Sequence, residues 1–546
     1  MEVALGREPA VRRLGWLAWL MLAAAWFSTL QVRALLDPDE GRYAEIPREM
    51  LASGDWITPR FDGLKYFEKP PLQYWATAAV YAGFGVSEWS SRLWSVGLAF
   101  ACLPLVYAWV ARLYGTGSAL AALLTLAVSP FFVVVGHLNL LDGAFTFWLT
   151  AAVLAFTVAQ SSPPASAPER RWMLAAWALA ALAVLSKGIV VGVLAGGTLV
   201  LYTLFERDAS PWRRLHPAAG GALFIGVAAP WFVAVSLRNP SFPEFFFVHE
   251  HFTRFLTTVH QRVEPWWYFL PLLLLAVLPW LPALLRACRR AWPQPGADAV
   301  RFRALRFLLL YAALTLVFFS ASGSKLAPYI LPLLPVLAAV TGAGNPAPLA
   351  LARTAAWVGA ALALLVAGGL LIYSARVNGF VPQAAWYWAL GAVAAALAAA
   401  ALAGSPRVGV QPAVLAGALG AMLAWQGLLC EYALIPPARS ARELVSAVRP
   451  FIGAYTPLYS VGQYRETVSP YLGRTLQLAG YEGELQFGLR EEPQRRMTLE
   501  QFAARWSAAD QGVAFFDPQL WDSWRRRGFP GRVIAADNYT VAVSRL

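Results

Sequence analysis

Charged residues are scarce in this chain: they make up 14% of its 546 residues, whereas a typical soluble domain carries about 25%. The mean hydropathy is high, at +0.51. This composition excludes a mainly soluble architecture, and the many long apolar runs match the roughly 20 residues that a membrane-spanning helix needs. Because lipid offers the backbone no hydrogen-bond partners, and because these runs do not alternate as strands do, we predict helices.

Cysteine is nearly absent. The three cysteines, Cys102, Cys288 and Cys430, are scattered without metal or redox spacing, which excludes a disulfide framework. The sequence also lacks the motifs of nucleotide-binding proteins, zinc proteases and serine hydrolases. The net charge is +13, but the basic residues form no stripe of the kind that binds nucleic acid, so we expect no nucleic-acid partner.

The apolar runs predict a mostly α, polytopic membrane protein of about thirteen spanning helices. These predicted spans are 14–36, 92–112, 117–136, 140–160, 171–186, 189–206, 216–237, 266–286, 304–321, 326–343, 351–373, 385–403 and 409–430. The stretch 71–86 is too short to span, and we predict an interfacial helix there.

Basic residues follow the positive-inside rule when the N-terminus is cytoplasmic, because Arg207 to Arg214 and Arg286 to Arg306 then face the cytoplasm. The loops 37–91 and 238–265 then lie outside. We predict a membrane domain at 1–430 and an outer, soluble α/β domain at 431–546. The predicted elements of this outer domain are helices at 440–448 and 499–508 and strands at 457–461, 512–516 and 532–543.

Unusual polar residues gather on the predicted outer side, and ionisable groups at membrane depth indicate a functional site. In the first loop, Asp39 is the candidate general base or cation-facing carboxylate, because Glu40 and Glu45 have Arg42 and Arg48 available as partners. The alternative is a solvated polar start to the loop.

Three further positions offer cations. Lys69, before Pro70, can meet a phosphate as a point charge or extend to lipid headgroups. Lys325 opens a predicted helix whose N-terminus favours anions, and it is four residues from Tyr329, so the two would share a helix face. Lys187 and Asp142 each end a predicted helix on the outer side, where they could be a structural pair between helices.

The loop around His249, Glu250 and His251 contains metal-ligating side chains. The two histidines would diverge on a helix, so a metal needs one of them with a distant carboxylate such as Glu68. Arg254 has the planar fork that clamps phosphates. Because nucleotide sugars are not available outside, these groups suit a phosphate carried on a lipid tail.

Several segments resemble the aminoarabinose transferases of Gram-negative bacteria, within the protein O-mannosyltransferase-like membrane glycosyltransferases of GT-C type. The resemblance covers most of 37–335. The segments that carry it are DEGRYAEIPREMLASGDWITP (39–59), GLKYFEKPPLQYW (63–75), LDGAFTFW (141–148), LSKG (185–188), FFFVHEHFTRF (245–255) and SKLAPYILP (324–332). The sequence departs from many relatives at Pro71 and at Ala327 to Tyr329, which leaves the sugar open.

The resemblance implies that Asp39 is the essential aspartate of the first loop. It also implies that a donor-phosphate pocket is lined by Tyr43, Tyr66, Glu68, Lys69, Arg254 and Tyr329. From the residues themselves we add Lys325 as a phosphate-binding cation and Arg42 as a residue of the pocket. His249 with Glu68 matches a divalent metal site, with zinc as the ion, although no cofactor is implied as required. Asp142 and Lys187 match polar positions of the family.

The family implies transfer of aminoarabinose from undecaprenyl phosphate to lipid A phosphate. We expect this reaction at the periplasmic face of the cell inner membrane, and we expect the protein to be a monomer among membrane lipids. This modification confers resistance to polymyxin. An alternative is transfer of another polyprenyl-linked sugar to a lipopolysaccharide core, a glycan or a protein. A more remote alternative is a transporter of lipid-linked sugars, but the chain has no internal repeat of the kind that many transporters show.

Overall fold

The computed structural model describes residues 14–253, 264–292, 302–345, 347–435 and 439–545. The chain divides into two compact units. The membrane unit comprises Met1–Leu30 and Trp94–Pro436, and the mixed unit comprises Gln31–Leu93 and Pro437–Leu546. The prediction instead grouped the first loop with the membrane domain and began the outer domain at 431. The first loop belongs to the mixed unit because ion pairs such as Asp37–Arg465 connect it to the C-terminal residues.

Within the described ranges, nine helices are long and apolar enough to cross a membrane. The spans are Glu88–Tyr114, Leu141–Ser161, Pro217–Arg238, Phe269–Ala291, Ala304–Ala321, Ala327–Gly344, Pro348–Val377, Gln383–Gly404 and Val410–Tyr432. A tenth span forms if Thr116–Ala127 and Pro130–Gly136, bent by 64°, count as one. The bend falls before Pro130, which lacks the backbone N–H that would continue the first helix.

The remaining three predicted spans form helices that do not meet these criteria of length and apolarity. Trp16–Phe27 has 12 residues and Val190–Glu206 has 17. Ala167–Lys187 is long enough but carries charged residues at both ends. The first span is therefore shorter than the predicted 14–36. Its predicted end lies in the mixed unit, where the buried Arg33 pairs with Glu40.

The first loop folds into two helices and a hairpin. The helix Asp39–Ser53, here called the first-loop helix, occupies a stretch for which we predicted a polar loop. Strands β1 (Arg60–Phe61) and β2 (Leu64–Lys65) pair antiparallel. The helix Leu72–Phe84 confirms a helix within 71–86, and its interfacial position stays a prediction.

A five-stranded sheet forms the centre of the C-terminal part. Its strands are β3 (Leu458–Val461), β4 (Gln477–Ala479), β5 (Val513–Phe516), β6 (Arg532–Ala536) and β7 (Val541–Ser544). The order is β4-β3-β5-β7-β6; β3 pairs parallel with β4 and β5, whereas β7 pairs antiparallel with β5 and β6. The predicted α/β domain is therefore confirmed, but the single strand predicted at 532–543 is a hairpin.

Aromatic side chains fill the core beside this sheet. Phe502 and Trp506, from the helix Leu499–Ala508, pack against Tyr459 of β3 and Phe516 of β5. The other α-helices of this part are Arg442–Val448, Val468–Leu472, Gln486–Glu491 and Pro518–Arg526. A buried core of this kind stabilises the C-terminal part largely by removing apolar surface from water.

Candidate active site

Asp39 opens the first-loop helix, with its side chain 39% exposed. The buried guanidinium of Arg42, one turn later, donates to Asp39 Oδ1 at 3.0 Å. The same guanidinium donates to Glu484 Oε2 at 2.5 Å. One cation thus holds two carboxylates, and its bond to Asp39 leaves that side chain oriented and still accessible. This is a geometry in which Asp39 can meet a substrate.

Glu40 has different partners from those expected. It lies buried between Arg33, at 2.5 Å, and Arg92, at 2.8 Å, rather than beside Arg42 or Arg48. Burial alone would raise the pKa of the Glu40 carboxyl, but the two guanidiniums outweigh burial and hold that pKa well below its usual range. Glu40 is therefore an ionised structural group.

Glu45 does pair with Arg48, at 2.5 Å, as the sequence suggests. With Glu40 and Glu45 both engaged in buried ion pairs, Asp39 is the accessible acid of the first turns of this helix.

Two tyrosines predicted for the pocket are buried in the mixed unit. Tyr43 stacks on Tyr74 with ring centroids 6.1 Å apart. The Tyr66 ring lies 5.9 Å from the Arg42 guanidinium, and its hydroxyl has no hydrogen-bond partner in the described part of the chain. Burial raises the pKa of Tyr66 well above its usual value, so this hydroxyl is a donor at neutral pH.

Glu68 and Lys69 are half-buried beside Pro70. The Lys69 ammonium donates to the backbone carbonyl of Glu68 at 2.8 Å. The mixed unit therefore brings together Asp39, Arg42, Tyr66 and the acid Glu484, which sequence reasoning missed because no local pattern links it to Arg42.

The membrane unit has a second polar group. Asp142, in the first turn of Leu141–Ser161, forms an ion pair with Lys187, the last residue of Ala167–Lys187. This confirms the pair between helices. The Lys187 ammonium also lies over two rings, 4.5 Å from the centroid of Tyr329 and 5.1 Å from that of Phe145. A lysine is thereby placed beside the tyrosine that we assigned to phosphate binding.

Lys325 is oriented differently from the prediction. The α-helix begins only at Leu333, and Tyr329 belongs to a 3-10 helix, Ala327–Ile330, that starts after Lys325. Lys325 therefore does not share a helix face with Tyr329. Its ammonium is buried and donates to the carbonyls of Ser322, at 2.7 Å, and Glu264, at 3.0 Å. In this position Lys325 stabilises the loop.

His249 lies in a π-helix, Glu244–Thr253, where its ring stacks on Phe245 and is 3.6 Å from Glu250. Zinc commonly takes three or four protein ligands. Among the described residues, no three His, Cys, Asp or Glu side chains are grouped so as to hold a metal. The metal site of His249 with Glu68 therefore stays a prediction, and Arg254 lies outside the described residues.

The comparisons with known families cover both parts of the chain. Residues 444–545 match the family described as the aminoarabinose transferase C-terminal domain. Residues 13–246 match the family described as dolichyl-phosphate-mannose-protein mannosyltransferase. The predicted resemblance within the GT-C class is therefore confirmed.

Solved structures and curated relatives agree with this result. The crystal structure of ArnT from Cupriavidus metallidurans bound to undecaprenyl phosphate is 33% identical, with a TM-score of 0.85 and 97% of each chain covered; the apo structure is 32% identical, with a TM-score of 0.84. The undecaprenyl phosphate-alpha-4-amino-4-deoxy-L-arabinose arabinosyl transferase of Pseudomonas paraeruginosa is 37% identical over 61% of this chain. The match spans 59% of that relative's length.

The apolar spans and these matches together show a multi-pass membrane protein. The match at 33% identity to ArnT extends over nearly the whole of both chains. The chain therefore belongs to the aminoarabinose transferase family.

Proposed function

We propose that this protein transfers 4-amino-4-deoxy-L-arabinose from undecaprenyl phosphate to a phosphate of lipid A. The observation that carries the proposal is the match over 97% of both chains to a relative whose structure holds undecaprenyl phosphate. The relatives named as arabinosyl transferases of this donor support the same sugar. The active site and the C-terminal domain would face the periplasm, with the chain in the inner membrane.

The proposed reaction is a single displacement. An oxygen of the acceptor phosphate forms a bond to the anomeric carbon of the sugar, while the bond from that carbon to the donor phosphate breaks. Undecaprenyl phosphate leaves with the electron pair of that bond, and the configuration at the carbon inverts. An acceptor phosphate is already anionic, so no proton has to be removed from it.

In this reaction we assign Asp39 to the sugar. Its carboxylate, held by Arg42, would bind the amine of the sugar or stabilise positive charge at the anomeric carbon. If the acceptor were a hydroxyl, Asp39 would instead accept its proton. The role of Asp39 thus depends on the acceptor, and a pH profile of transfer to each acceptor separates the two roles.

Cations would stabilise the charge that grows on the leaving phosphate. We assign Lys69 and Arg254 to this task. In the membrane unit, we assign Lys187 and Tyr329 to contacts of the same kind with a phosphate. Losing one preorganised donor of this kind typically costs about 2.7–4 kcal/mol of transition-state stabilisation.

The decisive experiment incubates the purified full-length protein with undecaprenyl-phosphate aminoarabinose and lipid A, followed by mass spectrometry of the lipid A. We expect lipid A to gain one aminoarabinose residue. Asp39→Asn should abolish transfer, whereas Asp510→Asn, at an exposed acid of the same unit, should not. Wild-type turnover by the Asp39→Asn variant would contradict the assignment.

The acceptor and the metal are separate questions for the same assay. Modification of a lipopolysaccharide core, a glycan or a protein, with lipid A unchanged, would favour the alternative acceptor. Loss of transfer after chelation and its recovery with Zn²⁺, in the wild type but not in His249→Ala, would support the proposed divalent ion.

A further inference from the structure

The C-terminal part of the mixed unit contains a cavity of about 540 Å³, on a face of the protein to which no role has been assigned so far. This volume lies in the range of about 300–1,000 Å³ that is typical of small-molecule sites. Residues around strands β3 and β4 line it, together with Asp62 and Leu64 of the first loop. All of the lining residues belong to the same compact unit.

Four arginines line this cavity: Arg474, Arg495, Arg496 and Arg505. In the part of the chain that the structure describes, only one of the four, Arg496, forms an ion pair, with Glu482. Arg495 interacts electrostatically with Asp62, which also lines the cavity. Four arginines and one acid line the cavity, so its net charge is positive. Because guanidinium forks match the oxygens of phosphates, the cavity favours a phosphorylated ligand.

Two of these arginines are held in place by backbone carbonyls. Arg474 donates to the carbonyls of Gly453, at 3.1 Å, and Thr456, at 2.9 Å. Arg495 donates to the carbonyl of Gly63 at 2.5 Å. Each guanidinium has five N–H donors, so these bonds orient the group and leave donors for a ligand. The cations are therefore partly preorganised before a ligand arrives.

The remaining lining residues favour a sugar. Tyr455 is one of the lining residues, and it is 92% exposed. An exposed aromatic face can pack against the C–H groups of a sugar ring, since the face of the ring is electron-rich. Thr475, Gln477 and Gln494 add hydroxyl and amide groups that can bond to sugar hydroxyls.

Asp62 provides a buried polar atom at the same place. Its Oδ1 accepts from Ser469 Oγ at 3.0 Å and from the Leu476 N–H at 2.8 Å. Its Oδ2 has no partner among the described residues, although it is buried. These hydrogen bonds fix the Asp62 side chain at the wall of the cavity.

We propose that this cavity binds a phosphorylated saccharide. Arg474, Arg495 and Arg505 hold the phosphate, and Tyr455 packs on the sugar ring. The ligand is either a free sugar phosphate or the phosphorylated head group of a lipid. Binding itself does not depend on the proposed transfer reaction; only the second source connects the cavity to the acceptor of that reaction.

The test measures binding of glucosamine 1-phosphate to the detergent-solubilised full-length protein by titration calorimetry, with glucosamine and inorganic phosphate as the comparison probes. We expect glucosamine 1-phosphate to bind at least tenfold more tightly than either probe. Arg505→Gln and Tyr455→Ala, both at exposed positions, should each raise its Kd severalfold. Arg527→Gln, at an exposed arginine outside the cavity, should leave the Kd unchanged.

Lipid A in nanodiscs distinguishes the two sources. If the wild type binds lipid A but not the free sugar phosphate, and Arg505→Gln weakens the binding of lipid A, the ligand is the lipid head group. Binding of both identifies a site for the phosphorylated sugar alone. The proposal is overturned if neither binds, or if Arg505→Gln and Arg527→Gln bind equally well. A protein that binds these ligands but transfers no sugar to lipid A refutes the transfer reaction and leaves this site intact.

Discussion

Arg42 and Glu484 form an ion pair of 2.5 Å although 442 positions separate them in the chain. The guanidinium is buried, and the same group orients Asp39. A residue of the C-terminal part thus determines, through one arginine, how the candidate acid of the first loop is held. Glu484 is on this reasoning a positioning residue, because it acts on Asp39 through Arg42.

The first prediction concerns this pair. Glu484→Ala should lower transfer strongly and should destabilise the protein by at most about 3 kcal/mol, because Asp39 still compensates the buried arginine. Glu484→Gln keeps a hydrogen bond and should recover most of the stability but only part of the turnover. The measurements are kcat for transfer and the thermal midpoint.

Glu482→Gln is the matched control, because Glu482 lies two residues away in an exposed ion pair with Arg496. Exposed pairs contribute about 0–1 kcal/mol, so both kcat and the midpoint should stay near wild type. Equal effects of Glu482→Gln and Glu484→Gln on kcat would show that Glu484 does not position Asp39.

The second prediction separates structure from function at Lys187. The single variants Asp142→Asn and Lys187→Gln should each destabilise the membrane unit, because each leaves one charge of the pair without its partner. The double variant should recover stability. It should not recover transfer if Lys187, over the Tyr329 ring, meets the donor phosphate. Recovery of both quantities in the double variant would make the pair purely structural.

The third prediction is a pH dependence of stability. Burial raises the pKa of Asp62 to about 7 from its ordinary value of 3.8. The folded protein then keeps a proton that the unfolded chain releases, so this group lowers stability as pH rises from about 4 to about 7. The effect is at most about 4 kcal/mol, at 1.36 kcal/mol for each pH unit.

Asp62→Asn removes this titration. The difference in thermal midpoint between the variant and the wild type should therefore grow in favour of the variant from pH 5 to pH 8, and Asp510→Asn should show no such trend. The lowered pKa of Glu40 has the opposite effect on stability, because this group loses its stabilising contribution as pH falls. That loss occurs only below about pH 4.5. A difference that does not change with pH would contradict the raised pKa of Asp62.

The fourth prediction tests how closely the first-loop helix approaches the C-terminal part. A Cβ on Gly41 would lie 2.6 Å from the backbone carbon of Glu466 and 2.7 Å from the Thr467 nitrogen. Because backbone atoms cannot move aside, Gly41→Ala should destabilise the protein by about 1–3 kcal/mol. Gly83→Ala, in a helix with open space around it, should be neutral or stabilising. Equal midpoints for the two variants would contradict this packing.

Sequence analysis predicted the elements whose causes are local. The helix Leu499–Ala508 has the predicted bounds because Thr498 and Gln501 cap its start. The span Ala304–Ala321 also has its predicted bounds, since hydropathy along the chain determines it. The pair of Asp142 with Lys187 could be inferred because both residues lie at neighbouring helix ends.

Contacts between distant residues could not be predicted in this way. The first-loop helix was missed because its polar sequence has no apolar stripe. The structure buries it, and the ion pair of Arg42 with Glu484 connects it to the C-terminal part. Lys325 was assigned to Tyr329 because the spacing suits an α-helix, whereas the chain forms a 3-10 helix there. Lys187 is the lysine beside Tyr329, and the two positions are 142 apart in the chain.

The mixed unit is built from two stretches of chain, Gln31–Leu93 and Pro437–Leu546, with residues Trp94–Pro436 of the membrane unit between them in sequence. At the usual rates of synthesis, the ribosome needs on the order of tens of seconds to complete the intervening residues. During that time Gly41 and Arg42 cannot form their contacts with the C-terminal part, because that part has not yet been synthesised. Newly made protein therefore becomes competent only after its tail has emerged, and a chaperone that shields the waiting segment would increase the yield.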